Sequence, residues 1–426
     1  MKILNDNHRL TNKDFSNFEH SKIFPRHNWY YFKEGFSPLL IEEAIKVSKI
    51  SNDGIIIDPF SGSGTTSLVA GINNIRSIGF EVNPFLAFIA KTKQLNENKE
   101  NLLKHKDSFL LSIDKGLPSP LENLSTFTKN NKDKWLFNID VLRSFEGGWQ
   151  YAEYLSTNNL KNIYKLCLIA SIMDNCNAEK DGKCLRYKKD WQNINYNKED
   201  FLNSFKNRLE KIASDLESEP IKKKSQIILG DSRKKLASQI NQKFQLCITS
   251  PPYLNSFDYS DIYRPELFLG KFIINNKKLN QLRLKTLRSH VQINWNKPIK
   301  KDFGFLYSNV INEINKKKNL FWNNRLPLMI QAYFEDMENI LKQLRFKADK
   351  NASLWLVVST SAYAGVEVPV DLILADIGTK VGWLLEEIIV MRYLRNSTQN
   401  AKKWLEGEAS SKQLRESVVI LRNSES

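Results

Sequence analysis

No apolar run in this 426-residue chain approaches the roughly 20 residues that a membrane-crossing helix needs. Residues 1–15 are polar and mixed in charge. They lack the apolar core of a secretory signal, so the expected compartment is the cytoplasm. Cysteine is scarce. Cys167, Cys176, Cys184 and Cys247 form no Cys-x-x-Cys pair, and none stands near a histidine at zinc spacing. They read as reduced structural residues, and no metal site is expected. Internal repeats and long low-complexity tracts are also missing.

Hydrophobic residues make up 41% of the chain, enough for a large core and for more than one compact unit. The net charge is +16. A polyanionic partner would explain it, and so would the Lys, Asn and Ile bias of AT-rich coding. Only the distribution of the charge separates the two.

The apolar run 55–57 ends in Asp58-Pro59-Phe60-Ser61-Gly62-Ser63-Gly64-Thr65-Thr66. A short apolar run followed by a glycine turn reads as a buried parallel strand. Thr65 or Thr66 is expected to cap a helix over 67–72. A second strand, 75–80, ends at Glu81, which completes a β-α-β unit. Residues 96–224 read as mostly helical. Strands return at 226–229, before Gly230-Asp231-Ser232, and at 244–249, before Ser250-Pro251-Pro252-Tyr253. A helix over 328–341, a strand over 354–358, a helix over 370–381 and strands near 387–392 and 417–421 complete the pattern. The fold expected is one α/β sheet, with helices on both faces and two insertions. The expected division is 1–100 and 225–426 for the sheet, an inserted helical region at 101–224, and a second insertion at 271–325.

The glycine turn sits where open α/β sheets bind ligands, at the carboxyl end of a strand. Gly62 and Gly64 allow close backbone approach. Glu81, 17 residues beyond Gly64, is placed to accept hydrogen bonds from both hydroxyls of a ribose. The dinucleotide pattern Gly-x-Gly-x-x-Gly is incomplete, because Ser67 occupies the third glycine's place.

The string Asp58 to Thr66 resembles the first motif of the amino-methyltransferases that modify DNA. Gly79-Phe80-Glu81-Val82-Asn83-Pro84 resembles their second. The resemblance implies a Rossmann-like class I methyltransferase sheet and S-adenosylmethionine as cofactor. It implies cofactor contacts at Asp58, Phe60, Gly62, Gly64, Thr65, Thr66, Glu81 and Asn83, with Asp231 near the adenine ring. Phe36-Ser37-Pro38, within a segment resembling the motif that precedes the first strand, would sit by the methionine end.

Ser250-Pro251-Pro252-Tyr253 closes a strand that the two prolines cannot continue. It resembles the (Asp/Asn/Ser)-Pro-Pro-(Tyr/Phe) motif of the same enzymes. An exocyclic amino group is a poor nucleophile because its lone pair is delocalised into the ring. Two acceptors on its hydrogens, expected at Ser250 Oγ and the Pro251 carbonyl, would make it more tetrahedral. Tyr253 would stack on the base. A base paired in a duplex must be flipped out to reach such a site. Serine at the first position points to cytosine N4, with adenine N6 as the alternative. RNA or protein amino groups would need the same geometry.

Segment 271–325 holds 13 Lys or Arg against two acidic residues, a net charge of +11. Segment 101–224 holds 21 basic and 17 acidic residues, a net charge of +4. Coding bias would spread lysine evenly, so the concentration behind the catalytic motif favours phosphate contacts there. Lys277, Lys278, Arg283, Lys285 and Arg288 are the candidates, with Lys183, Arg186 and Lys188 in a second basic cluster. Segment 101–224 is the expected reader of sequence and 271–325 the clamp on double-stranded DNA. The motif order excludes the permuted group of the family. The long segment before the catalytic motif fits the unpermuted group with an internal recognition domain, but it precedes the Gly-Asp-Ser strand rather than following it, which leaves the subgroup open. A restriction-modification role would place a cognate restriction endonuclease beside this enzyme.

Overall fold

The structure, a computed structural model, describes residues 4–424 except 6–8, 12, 17, 52, 125, 130–132, 182–183 and 395–413. Eight strands form one sheet among the described residues. In chain order they are β1 (Leu4–Asn5), β2 (Ile55–Asp58), β3 (Arg76–Glu81), β4 (Gln226–Leu229), β5 (Phe244–Thr249), β6 (Ala348–Ser359), β7 (Leu384–Tyr393) and β8 (Arg415–Arg422). Their spatial order is β1-β7-β8-β6-β5-β2-β3-β4. All neighbours pair in parallel except β8, which runs against both β6 and β7.

Helices α1 (Pro38–Ser48), α2 (Thr65–Ile72), α3 (Pro84–Thr92), α4 (Ser232–Gln239), α5 (Leu326–Lys347) and α6 (Val370–Lys380) wind the chain between strands. The alternation of β2 shows how both faces are covered. Ile56 joins Leu40, Val69 and Trp355 on the α1–α2 side, while Ile55 and Ile57 join Leu236, Leu341 and Leu374 on the α4–α6 side. This is the doubly wound Rossmann-like sheet expected from the sequence.

The long segment between β3 and β4 holds helices Lys99–Leu103, Lys106–Lys115, Ile139–Glu153, Asn158–Asp174 and Lys198–Ser218, with a hairpin of Ala178–Lys180 and Leu185–Tyr187. Phe109 stacks on Tyr164 with ring centroids 3.8 Å apart. The core of this segment is continuous with Trp29 and Tyr30 of the N-terminal arm, Phe85 and Ile89 of α3, and Tyr263, Leu267 and Leu282 beyond β5. It therefore leans on the strand-end loops rather than hanging from them.

The basic segment after β5 is packed as well. Leu279 and Leu282 of helix Asn276–Arg283 enter the helical core, and Leu287, Val291, Phe303, Tyr307 and Ile314 enter the core beneath α5.

Local details differ from the expected ones. Neither threonine caps α2. The cap position is Gly64, at φ 85°, with no side-chain bond, and Thr66 is drawn away by Asp58. The strand expected at 354–358 extends over twelve residues, Ala348–Ser359. Its first half is polar and partly exposed, so apolar content did not reveal it.

Candidate active site

The chain runs outward from β2 to β3 to β4, then returns to place β5 on the other side of β2. That reversal opens a crevice at the carboxyl ends of the strands, the place where doubly wound sheets bind ligands. One cleft there is lined by Pro59, Phe60 and Gly62 after β2, Glu81 to Asn83 after β3, Gly230 to Arg233 after β4, and Ser250 to Tyr253 after β5. Sequence-distant motifs are thereby brought to one point.

Asp58 lies behind the cleft wall rather than in it. Oδ1 accepts from the Phe60 amide at 3.1 Å and from Thr249 Oγ1 at 2.7 Å; Oδ2 accepts from Thr66 Oγ1 at 2.7 Å. One carboxylate thus ties the glycine turn, the first turn of α2 and the last residue of β5 together. Its burial raises its pKa to about 6, and the three hydrogen bonds pull the other way.

Glu81 faces the cleft. Oε2 accepts from the Gly62 amide at 2.8 Å and Oε1 from the Asn83 amide at 2.7 Å. Burial pushes its pKa up to about 7 against these donors. Each oxygen keeps a lone pair for a further donor, which suits the two hydroxyls of a ribose.

The two glycines serve different ends. A Cβ on Gly62, at φ 52°, would meet Phe32 Cε1 at 2.9 Å in the cleft wall. A Cβ on Gly64 would meet Ala90 Cβ at 2.7 Å, so this glycine admits α3 rather than a ligand. Thr65 likewise stands outside the cleft lining.

Asn83 lines the cleft and caps α3, accepting from Phe85 N at 3.0 Å. Asp231 lines it too and caps α4, but both its oxygens are held by Arg233, at 2.9 and 2.8 Å. Phe36 and Ser37 are displaced from their expected place. Phe36 is buried in the α1 core, and Ser37 accepts from Leu39 N at 3.3 Å as the cap of α1. The neighbouring residues Phe32 to Gly35 form the wall instead.

Beyond β5 the prolines end the ladder, and Ser250, Pro251, Pro252 and Tyr253 all line the cleft. The loop is pinned from behind, because Leu254 O accepts from Ser361 Oγ and from the Tyr363 hydroxyl at 2.9 Å. The Tyr253 hydroxyl donates to Glu416 Oε1 at 2.5 Å.

The basic candidates separate into two kinds. Lys277, Lys278 and Lys285 are exposed, and Lys285 stands at the cleft. Arg283 is instead engaged by Asp258 at 2.6 Å and Asp261 at 3.2 Å, and Arg288 by Glu335 and Asp336, each at 2.7 Å. These two arginines hold the segment to the protein, which leaves less of their charge for phosphate contacts. Arg186 pairs with Asp181 at 2.6 Å while staying exposed, and Lys188 donates to the Tyr196 hydroxyl at 2.9 Å. Lys183 lies outside the described residues.

Several cleft residues carry no local signature. Arg233, Thr286, His290, Arg392 and Glu416 reach it from α4, the basic segment, β7 and β8. Their positions follow from strand order, which no single stretch of sequence displays.

The chain is similar to known DNA methyltransferases. Residues 3–92 match the family model described as DNA methylase. The Type II methyltransferase M.BsoBI of Geobacillus stearothermophilus is 27% identical over 471 residues, covering 96% of this chain and 88% of its own. The Type II methyltransferase M.AvaI of a Nostoc strain is 26% identical over 475 residues, covering 97% of this chain and 90% of its own. Among solved structures, an rRNA methyltransferase from Streptomyces viridochromogenes aligns with 92% of this chain and 86% of its own at 11% identity. Its TM-score of 0.30 is too low to bear on fold or function.

Proposed function

We propose that the chain is a DNA amino-methyltransferase of restriction-modification type, like the relatives it resembles, and that it methylates the N4 amino group of a flipped cytosine in duplex DNA. The observation that carries the proposal is the opening of Ser250-Pro251-Pro252-Tyr253 into the same cleft as Glu81 and Gly62.

The residues present suit S-adenosylmethionine. Glu81 would offer two carboxylate oxygens to the ribose hydroxyls, Asp231 and Arg233 would hold the adenine, and Phe32 to Gly35 would hold the methionine part; all of these residues line the cleft. When bound there, the cofactor supplies a methyl group activated by a sulfonium. Ser250 Oγ and the Pro251 carbonyl accept hydrogen bonds from the amino group and draw the nitrogen's lone pair out of conjugation. Tyr253 stacks on the ring and Asp58 keeps the two loops in register. Direct displacement needs no covalent enzyme intermediate, so positioning supplies much of the rate, and the proton that the amino nitrogen sheds on methylation passes to solvent. Serine in the first motif position favours cytosine. The exposed Lys277, Lys278 and Lys285 would meet backbone phosphates.

Incubation with labelled cofactor and duplex DNA, followed by mass analysis of the nucleosides, tests the reading. N4-methylcytosine is the expected product. N6-methyladenine would overturn the choice of base, and label only in RNA or protein would overturn the choice of substrate.

A further inference from the structure

Glu416 and Arg392 belong to no motif, yet both line the cleft. They are direct cross-strand neighbours on β8 and β7, the antiparallel pair beyond β6. Glu416 is buried, 6% exposed, and divides its oxygens between two partners. Oε1 accepts from the Tyr253 hydroxyl at 2.5 Å and Oε2 from Arg392 Nε at 2.6 Å.

This arrangement has a direction. Arg392 compensates the carboxylate, so the buried charge is not left alone. The carboxylate then gives the Tyr253 hydroxyl a charge-assisted acceptor. Burial, and next the Glu416 charge, push the phenol pKa well above its ordinary value, so the hydroxyl stays protonated and keeps donating. A bond at the far end of the ring pins its tip, and because a phenol O–H prefers the ring plane it also favours one direction of the face. The ring thus holds one orientation before any base arrives.

We propose that Glu416, held by Arg392, is a positioning residue that presets the Tyr253 ring for stacking on the flipped base. The inference rests on the proposed methyl-transfer role of the cleft. Its physical basis is preorganisation. A ring that must be ordered when the base enters charges that entropy to the transition state, whereas a ring already fixed does not. The motif admits phenylalanine at this position, where no hydroxyl exists, so stacking alone does not require the bond. The bond therefore belongs to this chain's own device for orienting the ring.

A double-mutant cycle tests it, with single-turnover methylation of plasmid DNA that the unaltered chain methylates. Tyr253→Phe keeps the aromatic face and removes the bond; it is expected to slow methylation about tenfold, the scale of one hydrogen bond to a charged group. Glu416→Ala should slow it by a similar factor, but by less than about twofold when Tyr253→Phe is already present. Affinity for S-adenosylhomocysteine, measured by calorimetry, should stay unchanged in all variants. A merely structural role of Glu416 would act equally in both backgrounds and would overturn the inference. Tyr253→Phe at the unaltered rate would overturn it as well, even if Glu416→Ala does not fold. Absence of methylation by the unaltered chain would instead overturn the proposed function, and this inference with it.

Discussion

The strand-end loops and the basic segment 271–325 use charge in opposite ways. At the strand ends, Asp58 and Glu81 are buried carboxylates satisfied by hydroxyls and backbone amides, with no ion pair to either among the described residues. Burial raises both pKa values. In the basic segment, Arg283 and Arg288 are matched by nearby carboxylates, while Lys277, Lys278 and Lys285 stay exposed. Neutral donors leave a carboxylate with unspent attraction for a ligand. A paired arginine has little left to offer a phosphate. A net charge of +11 therefore overstates the charge available to DNA.

The largest test of this contrast lies at the catalytic loop. Ser250→Ala should lower turnover about 10²–10³-fold, the scale for removing one preorganised polar partner. Cofactor affinity measured by calorimetry should hardly change. Equal loss of both would make Ser250 a structural residue.

Asp58→Ala should act on both loops at once, since three donors lose their acceptor. A stability loss of about 3 kcal/mol is expected in denaturant unfolding, together with weaker cofactor binding. Loss of binding without loss of stability would place Asp58 in direct ligand contact instead.

The raised pKa of Glu81 yields a pH dependence with a definite sign. Its folded value of about 7 lies above its ordinary value of 4.5, so protonation favours the ligand-free fold. That stabilisation is present in acid and is lost as pH rises through about 7. Ligand binding needs the ionised form and runs the other way. Affinity for S-adenosylhomocysteine should rise about tenfold between pH 6 and pH 8. Glu81→Gln should flatten the dependence, and an unchanged slope in that variant would assign it to another group.

The smallest effects sharpen the basic segment itself. Arg288→Ala should cost about 2 kcal/mol of stability and leave the salt dependence of DNA binding unaltered. Replacing Lys277, Lys278 and Lys285 together should do the reverse, reducing the slope of log K against log salt by about 2–3 with stability intact. A lower slope from Arg288→Ala would restore the reading of the paired arginines as phosphate contacts.

The strands that carry motifs were legible because their signals are local. Ile55 to Asp58 and Phe244 to Thr249 are apolar runs cut off by glycine or proline, and they form strands where expected. The capping of α2 was not legible, because the threonine suited to it is claimed by Asp58, and Asp58 is shared with Thr249, 191 positions away in sequence. Phe36 and Ser37 lie just past the cleft wall of Phe32 to Gly35 for a similar reason: the helix that Ser37 caps turns the chain away from the cleft.

The sequence by itself determined the sheet, the order of its motifs and the chemistry of their residues. Glycine turns, prolines and apolar periodicity act over a few positions and need no distant partner to be read. Only the tertiary structure decided which charges are spent and which remain. It paired Arg283 with Asp258 and Arg288 with Asp336, buried Glu81 with no cation beside it among the described residues, and brought Glu416 from the reversed strand to Tyr253. Those outcomes depend on strand order and burial, because the strength of a charge is set by what surrounds it in space.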